Sequence, residues 1–244
     1  MQGRYFPDAC GKHYTGLIGV FDSGVGGLCA YYELRRMLPR EDIVYLADRK
    51  HAPYGTKTED EILAFTKENI RILKDMGASA VLIACCSAST VYHRLEAAER
   101  EISLPIISPA ARIAAKNGRR IAVIATNHTV KSRAFSREIG LISDATVIEM
   151  AEQRLVSLVE RGNRDGRIYP ECIEYLAHLT ERIRMVGADA LILGCTHFSH
   201  LEGELLKRLS GVNIISPARA GAEEMVKKII PGHTECGRDI YISP

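Results

Sequence analysis

The 244-residue chain has no apolar run long enough to cross a bilayer, and its longest stretches, such as Ala80–Ala84, suit buried strands. It has no dominant charge either. The 32 Lys and Arg against 30 Asp and Glu leave a formal +2, which excludes the one-sided basic surface of a nucleic-acid binder. The first sixteen residues mix Arg4, Asp8, Lys12 and His13 with Tyr and Gly. They lack the apolar segment and small-residue cleavage site of a secretory signal, so a cytoplasmic location is expected. Two phosphate-binding signatures are missing as well. The glycine-rich segment Phe21-Asp22-Ser23-Gly24-Val25-Gly26-Gly27 is not followed by Gly-Lys-[Ser/Thr], and its spacing differs from the dinucleotide fingerprint. What the chain does have is 46% hydrophobic residues. A chain of this size buries roughly 70–75% of its unfolded surface, enough for one large core or two smaller ones. Its seven cysteines are an odd number in a chain too long to need disulfide staples, and they are expected to be thiols.

Short β-rich apolar runs alternate with segments of helical period. Ile18–Phe21, Ile43–Leu46, Val81–Ala84, Pro105–Ile107, Ile121–Ala125, Thr146–Ile148, Leu191–Leu193 and Asn213–Ile215 read as strands. Helices are predicted over Gly27–Leu38, Thr90–Glu101, Pro170–Val186, Leu201–Leu209 and Arg219–Ile229, and one more starts at Thr58. There Thr58 and Glu61 have capping-box spacing, and Ile62, Phe65, Ile70, Leu73 and Met76 mark an apolar face. Strands that are apolar throughout and alternate with helices predict an α/β architecture with parallel sheets covered on both faces.

An internal repeat organises these elements. Gly77-Ala78-Ser79-Ala80-Val81-Leu82-Ile83-Ala84-Cys85 matches Gly187-Ala188-Asp189-Ala190-Leu191-Ile192-Leu193-Gly194-Cys195, and Ile107-Ser108-Pro109-Ala110 recurs as Ile215-Ser216-Pro217-Ala218. The strand Ile18–Phe21 has a weaker partner in Ile121–Ile124. Three echoes in one order predict two copies of one α/β unit. We assign residues 1–110 to the first domain, with 218–244 returning to it, and 111–217 to the second. A pseudo-twofold relation would place equivalent strand ends opposite each other, with the site at the interface. Cys85 and Cys195 are such an equivalent pair, each ending an apolar strand where ligand sites of α/β sheets lie. A thiol there, beside a helix N-terminus, is expected to be eased towards its thiolate. From a reference pKa near 8.5, a thiolate at neutral pH costs about 2 kcal/mol. Two thiols on opposite faces of a small ligand suit proton removal from one side and delivery to the other.

Other motifs admit more than one reading. The Phe21–Gly27 turn is either a tight strand-to-helix connection or a backbone cradle for an anion, with Asp22 and Ser23 pointing to the cleft. Asp48 with Pro53-Tyr54-Gly55 follows the Ile43–Leu46 strand, and by itself reads as a surface turn. His197 is either a helix-start residue or a proton partner of Cys195, and sharing the strand end with Thr196 favours the second. Cys10-x-x-His13 and His233-x-x-Cys236 have metal-like spacing, but no metal is assigned to these terminal segments. Adjacent Cys85 and Cys86 also allow a strained vicinal disulfide.

Taken together, Gly19-Val20-Phe21-Asp22-Ser23-Gly24-Val25-Gly26-Gly27-Leu28, Asp48 with Pro53-Tyr54-Gly55, Ala84-Cys85 and Gly194-Cys195-Thr196-His197 resemble the glutamate racemase family. This family lies within the broader aspartate/glutamate racemases, and the likeness runs from Ile18 to Ile229. It implies a cofactor-independent racemase acting on a small amino acid, working as a homodimer, and supplying D-glutamate for peptidoglycan. It implies Cys85 and Cys195 as the acid and base, with Asp48, His197 and Glu160 assisting. It further implies that Asp22, Ser23, Tyr54, Gly55, Cys86, Ser87, Thr196 and His197 bind the amino acid. Three positions depart from the family pattern. Cys86-Ser87 stands where the family has Asn-Thr, exchanging an amide for a weakly bonding thiol at a cost of about 1–3 kcal/mol if nothing replaces it. Phe198-Ser199 replaces Tyr-Pro, and Glu152-Gln153 replaces Cys-Pro. These departures keep two alternatives open: an aspartate or broader racemase, and a non-catalytic carboxylate-binding regulator.

Overall fold

The computed structural model describes residues 16–165, 167–229 and 237–243. Cys10, His13, His233 and Cys236 lie outside them. In chain order the first half comprises β1 (Leu17–Asp22), α1 (Leu28–Met37), β2 (Ile43–Ala47), α2 (Glu59–Asp75), β3 (Ala78–Ile83), α3 (Cys86–Ser89), α4 (Ala97–Ile102), β4 (Ser103–Pro105) and α5 (Ile107–Asn117). The second comprises β5 (Arg120–Ala125), α6 (Asn127–Ser132), α7 (Ala134–Gly140), β6 (Thr146–Ala151), α8 (Gln153–Asp165), α9 (Pro170–Met185), β7 (Ala190–Gly194), α10 (Glu202–Arg208), β8 (Asn213–Ile215), α11 (Pro217–Lys228) and β9 (Asp239–Ile242).

Two parallel sheets result, one ordered β4-β3-β1-β2-β9 and the other β6-β5-β7-β8. Read from opposite ends, β4-β3-β1-β2 and β8-β7-β5-β6 are the same arrangement. The registers agree with the repeat: Ile18 pairs with Ala80 in the first sheet, and Ile121 with Ala190 in the second. All five residues of β2 and of β7 are buried, as parallel strands covered on both faces require. One apolar cluster runs through both sheets and includes Val20, Leu82, Ala110, Val123, Ile192 and Met225. Two others line the outer faces, one around Phe21, Ile62 and Ile83, the other around Ile124, Leu158 and Leu193.

The echo of Ile107-Ser108-Pro109-Ala110 in Ile215-Ser216-Pro217-Ala218 marks equivalent helices, α5 and α11, which pack on each other. Pro109 and Pro217 both sit in a first turn, where the missing N–H has no intrahelical partner to lose. Pro105–Ile107 is therefore not the expected strand: β4 ends at Pro105 and Ile107 already opens α5. The predicted helix Thr90–Glu101 is also broken. Leu95 is extended and buried, and Glu96 starts α4 afresh with its own capping box to Glu99. The capping box at Thr58 forms, with the Glu61 N–H donating to Thr58 Oγ1 at 3.3 Å and the Thr58 N–H to Glu61 Oε2 at 2.9 Å. Met76 leaves the expected apolar face, since it caps the C-terminus of α2 and stays 38% exposed.

The tail returns to the first sheet as a helix, α11 against α1, and also as an edge strand, β9 parallel to β2. Close packing of α11 depends on Gly221, where a Cβ would lie 2.4 Å from Ile106 Cγ2 and 3.1 Å from Ile106 Cβ. Alanine in a helix normally gains about 1 kcal/mol over glycine, but overpacking costs about 1–3 kcal/mol. Gly221→Ala is expected to lower the urea unfolding midpoint. An unchanged or raised midpoint would show that this contact yields without strain.

Candidate active site

The carboxyl ends of β1 and β3 face those of β5 and β7 across a narrow cavity. Its lining includes Ser23, Tyr54, Gly55, Cys85, Cys86 and Ser87 from the first half, and Thr126, Gln153, Cys195, Thr196 and His197 from the second. Cys85 and Cys195 thus reach one space from the two repeats. Both are buried free thiols, as is Cys86, so no vicinal disulfide forms.

The glycine-rich turn joins the halves. A Cβ on Gly26 would fall 2.5 Å from Thr196 Oγ1 and 2.9 Å from His197 Nδ1, so only hydrogen permits the loop after Cys195 to seat there. Gly27 is as constrained, with a Cβ meeting Asp22 Cβ at 2.4 Å. Asp22 accepts the Gly24 N–H at 2.9 Å and the Thr196 hydroxyl at 3.2 Å, tying the turn to the opposite loop. Full burial raises the Asp22 carboxyl above its ordinary pKa, opposed by His197, the Gly24 N–H and Thr196. Of the turn's two predicted residues, Ser23 lines the cavity, whereas Asp22 lies behind it and reaches it through Thr196.

Pro53-Tyr54-Gly55 is not a surface turn. Tyr54 is 1% exposed and donates to Asp48 Oδ2 at 2.5 Å, while Asn69 Nδ2 donates to the Tyr54 hydroxyl at 3.0 Å and to Asp48 Oδ2 at 3.3 Å. His51 Nδ1 lies 2.8 Å from Asp48 Oδ1, and Phe65 stacks on the His51 ring at 4.0 Å. Burial, followed by the Asp48 carboxylate, holds the Tyr54 hydroxyl protonated far above its ordinary range. Asp48 therefore does not line the cavity but fixes Tyr54, which does. Asn69 was missed in the sequence. Its signal was a polar residue on the buried stripe of α2, seven positions after Ile62.

On the opposite side Cys195 Sγ is 3.6 Å from His197 Nδ1, and His197 Nε2 is 3.1 Å from Glu160 Oε1. Burial alone would depress the His197 pKa, but Cys195 and Glu160 outweigh it and raise it well above the ordinary value. Glu160 sits outside the cavity with its side chain 46% exposed, touching the reaction space only through His197. Ser87 Oγ lies 3.0 Å from Thr126 Oγ1 and 3.3 Å from Thr129 Oγ1, a hydroxyl cluster of which only Ser87 was expected.

The electrostatics of Cys85 overturn one expectation. Its thiol is pushed up from 9.0 to about 12, by burial first and the Asp22 charge second. That adds roughly 4 kcal/mol to the cost of the thiolate. A helix dipole returns about 0.3–1 kcal/mol, and α3 has only four residues, so the dipole loses to burial. Labelling of Cys85 by iodoacetamide, followed by mass spectrometry without substrate, should keep accelerating about tenfold per pH unit from pH 7 to 10. A plateau near pH 8.5–9, as for an ordinary cysteine, would contradict this. Gly26→Ala should reduce turnover about a hundredfold, because it displaces the Thr196-His197 loop. Unaltered steady-state kinetics would mean the loop does not depend on that contact.

The comparisons with known proteins agree with this architecture. A family model described as Asp/Glu/Hydantoin racemase matches residues 31–225. A glutamate racemase of Gloeobacter violaceus is 38% identical over 221 residues, covering 88% of this chain and 81% of that protein. The crystal structure of glutamate racemase from Aquifex pyrophilus superposes with a TM-score of 0.73 at 32% identity, over 93% of this chain and 90% of that one. The Francisella tularensis glutamate racemase in complex with D-glutamate gives 0.80 at 27% identity, over 94% and 88%. An aspartate racemase from Picrophilus torridus, at 17% identity and a TM-score of 0.69, shares the fold. The chain belongs to the Asp/Glu/hydantoin racemase family.

Proposed function

We propose that the protein is a racemase interconverting L- and D-glutamate by proton transfer between two thiols. The observation that carries the reading is that Cys85 and Cys195, at equivalent strand ends of a repeated unit, line the same small buried cavity. One sulfur, as thiolate, takes the Cα proton from one face while the other, as thiol, gives a proton to the opposite face. The net result is inversion with no change in atoms or redox state. Curated relatives named glutamate racemase, at 36–38% identity, support glutamate over aspartate as the substrate.

The surroundings suit each step. Burial and Asp22 hold Cys85 as a neutral thiol, and a cation beside it would ease its ionisation; the substrate's own ammonium group would bring one, to the benefit of Asp22 as well. On the other side His197 Nδ1 is placed to exchange a proton with Cys195, and Glu160 stabilises the imidazolium. Ser23 Oγ, 3.7 Å from Cys85 Sγ, supplies a hydroxyl towards the reacting carbon, and the backbone of the cavity-lining loops supplies N–H groups, while the Thr196 hydroxyl is given to Asp22. The α-proton is weakly acidic, so these donors must meet charge as it develops in a site from which water is largely excluded. Tyr54, Gly55, Cys86 and Ser87 complete the binding surface, with Asp48 acting through Tyr54.

The division into residues 1–110 with 218–244, and 111–217, belongs to the same proposal and is supported by β9 on the first sheet. So do a cytoplasmic homodimer and a role in supplying D-glutamate for peptidoglycan, which rest on the family resemblance. Cys85→Ala and Cys195→Ala should each lower racemisation, followed by circular dichroism, about a thousandfold or more while far-UV spectra are unchanged. Full turnover in either variant defeats the two-thiol scheme. In heavy water the wild type should incorporate deuterium at Cα of glutamate, and faster exchange of aspartate would displace glutamate as the substrate.

A further inference from the structure

Among the described residues that line the cavity there is no lysine or arginine. His197 is engaged by Cys195 and Glu160, so a dicarboxylic amino acid placed there with Cα between two thiols would have its side-chain carboxylate held by neutral donors. The hydroxyls of Ser87, Thr126 and Thr129 stand 3.0–3.3 Å from one another and share their protons within that cluster. Cys86 offers only a weak S–H donor. Gln153 is different. The Asn127 N–H donates to its Oε1 at 3.3 Å, and because a backbone N–H can only donate, this contact fixes which end of the amide is oxygen. The Nε2 end has no hydrogen-bond partner among the described residues, on a side chain that lines the cavity.

The amide is also held in place. The preceding Glu152 is 1% exposed. Its carboxylate accepts from the Tyr175 hydroxyl at 2.5 Å and from Arg182 Nη1 at 2.8 Å, and its N–H donates to Ala125 O at 2.8 Å. The start of α8 is therefore pinned to α9 and to β5. Across the cavity, a Cβ on Gly55 would lie 2.8 Å from Gln153 Oε1 and 2.7 Å from Thr126 Cβ, so the glycine makes room for the amide.

We infer that Gln153 is a specificity-determining residue whose amide N–H₂ donates to the side-chain carboxylate of glutamate, selecting it over aspartate, whose carboxylate stops one methylene short. The inference rests on the racemase reading and deepens it. A hydrogen bond to a charged group is worth about 1.5–3 kcal/mol, which is about tenfold or more in affinity.

The test measures kcat/KM and calorimetric affinity for both amino acids in the wild type, Gln153→Met and Gln153→Glu. Gln153→Met keeps the chain length without donors, and should cut kcat/KM for glutamate about tenfold or more while leaving aspartate unchanged. Gln153→Glu keeps an acceptor for the Asn127 N–H but faces the ligand with a carboxylate, and should lose more for glutamate. Equal losses on both substrates mark a structural role and overturn the inference, as does undiminished selectivity. If the wild type binds glutamate without turning it over, the racemase reading falls and the affinity ratio still decides the role of Gln153. A wild type that neither binds nor converts glutamate ends both.

Discussion

The site depends on a contact between two loops that only hydrogen side chains permit. The turn after β1 and the loop after β7 meet at Gly26, with Thr196 bonded to the buried Asp22 carboxyl. A methyl group at Gly26 would push the loops apart, and with them the cavity walls that carry Cys85 and Cys195. Much of the sequence in both repeats can be understood as bringing these two strand ends together. Buried central strands set the two sheets, α5 and α11 pack on each other, and one apolar cluster runs through both sheets. Because that cluster is shared, the seam is part of the protein interior.

The two sides of the cavity are built differently despite the repeat. Cys85 is buried beside a carboxyl, so its proton is held tightly. Cys195 has an imidazole beside it, backed by a half-exposed glutamate. Duplication brings two thiols at equivalent strand ends to one cavity. The divergence of the flanking residues gives the two thiols different neighbours, a buried carboxyl and a hydroxyl beside Cys85 and an imidazole beside Cys195.

The strands, the repeat and the cysteine pair were legible in the sequence because each has a signal of one period or one offset. Other elements had none. β9 is a four-residue edge strand with Asp239, Ile240 and Tyr241 exposed, so no alternation betrays it. Helix α5 was hidden by Pro109, which reads as a breaker unless it falls in a first turn. Roles carried by a second residue were also hidden. Asp48 acts by fixing Tyr54 and Glu160 through His197, relations that exist only once β2, α2 and α8 are folded. Gln153 and Thr126 belong to the half of the chain with weaker motifs, and their place at the cavity comes from the approach of β5 to the Tyr54-Gly55 turn.

Strand β9 has a consequence for how the chain is made. The first sheet begins with residue 17 but gains its outer strand only at residues 239–242, and helix α1 is covered by α11 at 217–228. The second sheet is contiguous, from 120 to 215. As the chain leaves the ribosome, the second sheet has all its strands before the first does. The amino-terminal half waits with its β2 edge bare until residues 239–242 emerge, reversing the usual order in which amino-terminal units mature first.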